Sequence, residues 1–251
     1  MKKILKFTFF LFLITLTSCH NYIQQTNIVN KKNIQFPTKS FTKIYKILKV
    51  DSCKTNENCK VGRFATHGSG ISIGKMGNDS IILTAGHVCE MQLAPSFTRS
   101  VGKYNVQMIV QNLEGIHKDA IIVHSVHDDK RDLCMLLAKN LDTKGVKLSW
   151  KSPKTGDIVY SMAAPAGIFH PPVVPLIDGI FNGDITRYNS LITMDITYGA
   201  SGSGVLNYDM ELVGILFATH PAYKASTLTS THQSLMLFVN EAFEKLRSIE
   251  R

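Results

Sequence analysis

Ser201 is the residue of this chain best placed to act as a nucleophile, and it stands in Tyr198-Gly199-Ala200-Ser201-Gly202-Ser203-Gly204. A serine hydroxyl attacks poorly by itself, so it needs a base to take its proton and donors to hold the oxyanion that forms. Gly199, two residues before the serine, can adopt backbone angles closed to other residues and turn its N–H inward beside that of Ser201, a two-donor oxyanion hole. Gly202 and Gly204 leave room for a substrate backbone and for packing behind the turn. Ser203 is a neighbouring hydroxyl, but it lacks a glycine two places before it.

The base comes from Ile81-Ile82-Leu83-Thr84-Ala85-Gly86-His87-Val88-Cys89, an apolar strand that runs into a small-residue turn ending in histidine. An imidazole held at a strand end can exchange a proton near neutral pH. Asp132 opens a strongly apolar run, Arg131-Asp132-Leu133-Cys134-Met135-Leu136-Leu137. A carboxylate buried there beside His87 would fix the imidazole tautomer and stabilise its cation. Asp128 and Asp129 sit in the preceding polar loop and read as solvated charges. Together with His117, His124 and His127 they raise a metal-site alternative, but the spacing fits no zinc pattern. These histidines are therefore expected at the solvent surface, and no metal or other cofactor is expected. An α/β-hydrolase elbow, G-x-S-x-G, would need a glycine where Ser203 stands, with the acid and histidine downstream.

These three side chains lie far apart in the chain, so the fold must bring them together. Composition, at 44% hydrophobic and 19% charged residues, describes a folded globular protein. Short β-branched and aromatic runs are punctuated by Gly, Asn, Asp and Pro, the pattern of an all-β protein. Strands are expected at 42–50, 64–73, 80–84, 104–111, 120–125 and 133–138, then at 157–163, 179–182, 191–195, 204–207 and 212–218. One helix is expected at 234–248, where Leu235, Phe238, Val239, Phe243 and Leu246 recur at helical spacing.

The N-terminus carries an address rather than structure. Lys2, Lys3 and Lys6 precede a short apolar run, and Leu16-Thr17-Ser18-Cys19 matches a lipobox, so residues 1–19 read as a bacterial lipoprotein signal with Cys19 as the lipidated residue. The polar stretch 20–40 reads as a flexible tether. Formal net charge is +9, falling by three with the signal lysines, and the basic residues are scattered without a nucleic-acid motif. Cys53, Cys59, Cys89 and Cys134 remain, an even number suited to an oxidising compartment. Cys53 and Cys59 flank a polar loop that looks like a hairpin closed by a disulfide. Cys89 and Cys134 each lie two residues after a candidate catalytic residue, and either a second bridge or two buried thiols fits them.

The segments resemble trypsin-like peptidases of the HtrA type and bacterial glutamyl endopeptidases. His67-Gly68-Ser69-Gly70-Ile71 is similar to their T-G-S-G-F, Thr84-Ala85-Gly86-His87-Val88 to T-A-x-H-V, and Gly199-Ala200-Ser201-Gly202-Ser203-Gly204 to G-N-S-G-S/G-P. Gly156-Asp157-Ile158-Val159-Tyr160, followed by Pro165-Ala166-Gly167, is similar to G-D-x-V-Y and P-x-G, and Glu211-Leu212-Val213-Gly214-Ile215 to the strand after the serine. The order His, Asp, Ser is that of the chymotrypsin-like arrangement. The resemblance implies two six-stranded Greek-key β-barrels, at 41–142 and at 143–251 with the terminal helix, with the triad in the cleft between them. Gly204 replaces the usual proline, Ala200 the usual aspartate or asparagine, and the stretch from Asp195 to Ser201 is shortened. Asp195 holds the offset at which trypsin carries its basic-selecting aspartate, which implies cleavage after Lys or Arg. Thr219 and His220 would line the same pocket, and His220 implies a rival acidic selectivity. No PDZ domain is expected in the roughly 30 residues after His220.

The expected protein is thus an exported serine endopeptidase, monomeric and lipid-anchored in the cell envelope, acting on protein or peptide substrates and not on nucleic acid. The alternative is a catalytically inactive binding or adhesion module on the same fold.

Overall fold

Two strands of the first barrel carry unbroken apolar stretches, Ile81 to Leu83 and Leu133 to Ala138, because they are buried on both faces. These are β3 (Asp79–Thr84) and β6 (Asp132–Ala138), which pair antiparallel with Leu83 opposite Met135 and Thr84 opposite Cys134. Ile82, Cys134, Leu136 and Ala138 point into one barrel with Ile44, Met108 and Val110. Ile81, Leu83, Leu133, Met135 and Leu137 point the other way, into a second core shared with Phe169, Leu206, Leu212 and Ile215 of the C-terminal half. Alternation of side chains across a strand, with apolar surroundings on both sides, requires such an unbroken run.

The computed structural model describes residues 34–55, 57–91, 93–220 and 223–249, apart from the side chains of 220, 223, 224 and 249. The signal at 1–19, with Cys19, and most of the 20–40 stretch lie outside the described residues. The first barrel closes in the order β1 (Phe41–Cys53), β2 (Gly62–Met76), β3, β6, β5 (His117–His127), β4 (Val101–Gln111). The second closes as β10 (Gly204–Leu206), β11 (Leu212–His220), β12 (Tyr223–Ser230), β9 (Asn189–Thr193), β8 (Leu176–Asp184), β7 (Ile158–Met162). Both are all-antiparallel, and Phe36–Arg251 forms one compact unit. The interior of the second barrel holds Val159, Phe181, Ile192, Met194, Val205 and Val213.

β12 has no counterpart among the strands expected from the sequence. Its buried positions are Thr227, Thr229 and Ser230, whose hydroxyls replace the apolar signal with hydrogen bonds to neighbouring backbone. Thr227 Oγ1 donates to the Met194 carbonyl at 2.8 Å, Thr229 Oγ1 to the Ile215 carbonyl at 3.1 Å, and Ser230 Oγ accepts from Ile215 N at 3.0 Å. Two short helices, α1 (Gly86–Cys89) and α2 (Pro95–Ser100), also lack the periodicity that would announce them.

The last helix, α3 (His232–Ile249), begins where Thr231 Oγ1 accepts a hydrogen bond from Ser234 N at 3.0 Å, a side-chain cap. It packs on β5, β6 and β11, burying Leu235, Phe238, Val239, Ala242 and Leu246 in the core shared by both halves. Among the described residues no helix is long and apolar enough to cross a membrane.

Two disulfides form, Cys53–Cys59 and Cys89–Cys134, and mark the chain as a protein of an extracytoplasmic, oxidising compartment. The second ties α1 to β6 across a sequence separation of 45 residues, and both its cysteines are buried. Closing a loop of that length is worth about 4 kcal/mol in the chain-entropy picture. The paired substitution Cys89→Ser and Cys134→Ser is expected to lower the unfolding free energy by about 2–4 kcal/mol, read from the urea midpoint. An unmoved midpoint would contradict this role.

Candidate active site

Pairing of β3 with β6 carries the end of one strand past the start of the other, and this sets His87 beside Asp132. One carboxylate oxygen, Oδ2, accepts from His87 Nδ1 at 2.7 Å, while Oδ1 accepts from the His87 backbone N–H at 2.7 Å. One side chain therefore fixes both the ring and the backbone of the histidine. The carboxylate is 12% exposed, and the imidazole, at 35%, keeps its other edge accessible. Gly86 makes this approach possible. A Cβ there would stand 2.3 Å from the Val126 carbonyl oxygen and 2.9 Å from Asp132 Oδ1. Gly86→Ala should therefore cost about 1–3 kcal/mol of stability and displace the carboxylate. Thermal melting and the His87 imidazole NMR signal would register both effects, and an unchanged pair would refute the packing argument.

His87 lines a cavity of about 260 Å³ together with Tyr198, Gly199 and Ser201. Ser201 is held at its carbonyl, which accepts from Ser69 N at 2.8 Å. The preceding turn is closed by Ala200 N donating to the Thr197 carbonyl at 3.1 Å, with Gly199 at φ +92°, a third-position angle that selects glycine. The Tyr198 carbonyl accepts from Ala166 N at 2.6 Å. A trans peptide is planar, so holding that carbonyl fixes the Gly199 N–H in the opposite direction. Ala166 itself stands at φ +51° within the Pro165–Gly167 turn. Ser203 is fully buried and its hydroxyl donates to the Ala200 carbonyl, which removes it as a rival nucleophile.

The remaining sequence candidates scatter. Asp195 and Thr219 are exposed, and neither lines the cavity of Ser201. His220 ends β11, and its side chain lies outside the described residues. His117, His124 and His127 do not converge. His117 is exposed beside the Tyr45 ring, His124 stacks on Phe238 at 5.2 Å and approaches Glu241, and His127 meets Glu90 at 3.3 Å. The expectation that all three lie at the solvent surface is thereby corrected for His124 and His127, which are only 20% and 23% exposed because α3 and Glu90 cover them. No group of three or more His, Cys, Asp or Glu side chains able to hold a metal ion occurs among the described residues.

Four neighbours of the site were not read as parts of it: Lys43 and Lys46, which lie outside every quoted motif, and His67 and Ser69, which lie within His67-Gly68-Ser69-Gly70-Ile71 but were given no role there. Lys46 is buried, and its ammonium donates to the backbone carbonyls of His87, at 2.9 Å, and Glu90. Burial draws its pKa below the ordinary lysine value, with Glu90 opposing. Lys43 donates to the Gly167 carbonyl at 2.8 Å. The His67 ring lies edge-on to Tyr198 at 4.9 Å, and its Nε2 is buried against Gly167 and Gly199 without a hydrogen-bond partner. Burial, with Lys43 adding to it, lowers the His67 pKa from the usual histidine value near 6.5. The unfolded chain then takes up a proton below about pH 6.5 that the native state refuses. Stability should fall as pH drops from 6.5 toward the lower native value, and His67→Gln should flatten that fall. Melting temperatures between pH 5 and 8 measure it, and parallel profiles for the two proteins would refute it.

The profile of the trypsin-like peptidase domain matches residues 68–215, more than half of the 251-residue chain. The chain belongs to the trypsin-like peptidase family. Among solved structures this trypsin-like chain is similar to the serine endoprotease from Yersinia pestis, at 18% identity and TM-score 0.61. That match covers 84% of this chain and 65% of the Yersinia chain, so this chain accounts for less than two thirds of its length. It is also similar to the Rv3671c protease from M. tuberculosis in its active form, at 16% identity and TM-score 0.56, covering 78% and 77% of the two chains. An inactive mutant form of Rv3671c matches at 14% identity and TM-score 0.57, covering 83% and 88%. At these identities the likeness is one of fold. No curated protein sequence matches the chain significantly.

Proposed function

We propose that this protein is a serine endopeptidase of the cell envelope, held there by a lipid on Cys19. The observation that carries the reading is the double grip of Asp132 on His87, in a cavity that Ser201 shares. With Nδ1–H engaged by the carboxylate, the other ring nitrogen is left as the basic one. It takes the Ser201 proton as the hydroxyl attacks a peptide carbonyl, and returns it to the departing amine. Asp132 stabilises the imidazolium between those steps. The N–H groups of Gly199 and Ser201 receive the oxyanion, and each such donor is worth about a hundredfold to a thousandfold in rate. Water, activated by the same imidazole, then releases the acyl group from Ser201.

A fluorophosphonate probe tests this directly. The purified protein should label at Ser201 and cleave a peptide library with or without a chelator. Ser201→Ala should abolish labelling and lower kcat by about 10⁶-fold. A wild-type protein that neither labels nor cleaves would reject the peptidase and leave the inactive binding module. The same library reports whether Asp195 or His220 governs the residue before the cut.

A further inference from the structure

The cavity beside Ser201 has a second wall that the catalytic steps do not use. Its remaining sides come from the first barrel: Lys46 of β1, Thr66 and His67 of β2, and Val88 of α1. Among the described residues no acidic side chain lines it. The nearby carboxylates are engaged elsewhere, Asp132 with His87, and Glu90 with Ser125 at 3.4 Å and His127 at 3.3 Å. The Lys46 ammonium spends two N–H groups on the His87 and Glu90 carbonyls, and an ammonium has three.

Position decides which part of a substrate reaches this wall. The leaving nitrogen must come within reach of the His87 ring, because that ring returns the proton to it. The wall lies next to that ring on the first barrel, and neither Asp195 nor Thr219 of the second barrel contributes to it. The residue that departs with the amine is therefore the one that enters.

Resting on the peptidase reading above, we infer that this cavity takes a carboxylate carried by the residue immediately after the scissile bond, with the Lys46 ammonium as its partner. A charge-assisted hydrogen bond in a partly desolvated pocket is stronger than a neutral one, so replacing that carboxylate by an amide removes about a tenfold preference. The Thr66 hydroxyl can donate a second bond to the same group. The carboxylate can belong to an Asp or Glu side chain, or be the free terminus of a one-residue leaving group.

Internally quenched peptides with one fixed acyl half separate these sources. In one arm the residue after the bond is Glu or Gln in a longer, amidated peptide. In the other it is the last residue, with a free or an amidated terminus. A kcat/KM ratio of about ten in favour of the acid in either arm, lying mainly in KM, supports the inference and identifies the source. Lys46→Met should bring that ratio to about one while Lys46→Arg keeps it, and because each ratio is internal to one variant, a general loss of activity cancels. Parity in both arms for the wild type overturns the inference, as does a preference that survives Lys46→Met. The peptidase reading fails differently, by absence of probe labelling and cleavage. In that case calorimetry on Ser201→Ala protein with the uncleaved pairs still reads the pocket: tighter binding of the acid supports it, and equal binding overturns it.

Discussion

Beside the candidate site, one small side chain ties the two halves of this molecule together by hydrogen bonds. Ser69 is fully buried and uses every polar atom it has across or beside the junction. Its N–H donates to the Ser201 carbonyl, its hydroxyl donates to the Gly199 carbonyl and accepts from Ala164 N, and its carbonyl accepts from Thr84 Oγ1. The turn carrying Ser201 is thereby hung from β2 and, through Thr84, from the strand that leads to His87. A larger residue would not fit, and an alanine would leave the Gly199 carbonyl and the Ala164 N–H without their shared partner, a costly loss in a buried place. This knot links the turn of Ser201 to the strand that leads to His87.

Around it, each element of the site is held by backbone as much as by side chain. Asp132 grips the N–H of His87 as well as its ring, Lys46 caps the carbonyl of the same residue, and the Cys89–Cys134 bridge repeats the connection two residues further along both segments. The Gly199 turn is held through Tyr198 by Ala166, and the Ala166 turn is in turn tied to β1 by Lys43. Such redundancy suits a site whose geometry must exist before substrate arrives, since preorganised dipoles need no reorientation during reaction.

Much of this was legible in the sequence, for identifiable reasons. His87, Asp132 and Ser201 each sit at the edge of a distinctive local pattern, two doubly buried apolar strands and a glycine-rich turn, so type and position could be read together. The barrels were legible as alternating runs, except β12, where Thr227, Thr229 and Ser230 bury hydroxyls that satisfy neighbouring backbone and leave no apolar rhythm. Lys43, Lys46, His67 and the Ala166 N–H were not legible as parts of the site, because their partners are backbone atoms or ring faces brought close only by barrel closure. The partial burial of His124 and His127 escaped for the same reason: α3, more than a hundred residues downstream, covers the first, and Glu90, 37 residues upstream, covers the second.

The last helix bears on how the molecule is made. It follows all twelve strands, yet Leu235, Phe238 and Leu246 belong to the core in which β3 and β6 bury their second faces. During synthesis those faces can be partly covered by residues of the second barrel such as Phe169, Leu206 and Ile215, and are fully covered only when the final turns have been made. The first barrel can pair its strands early, but its outer apolar surface remains incompletely covered for most of synthesis. The last helix thus completes, at the end of synthesis, the core that both halves share.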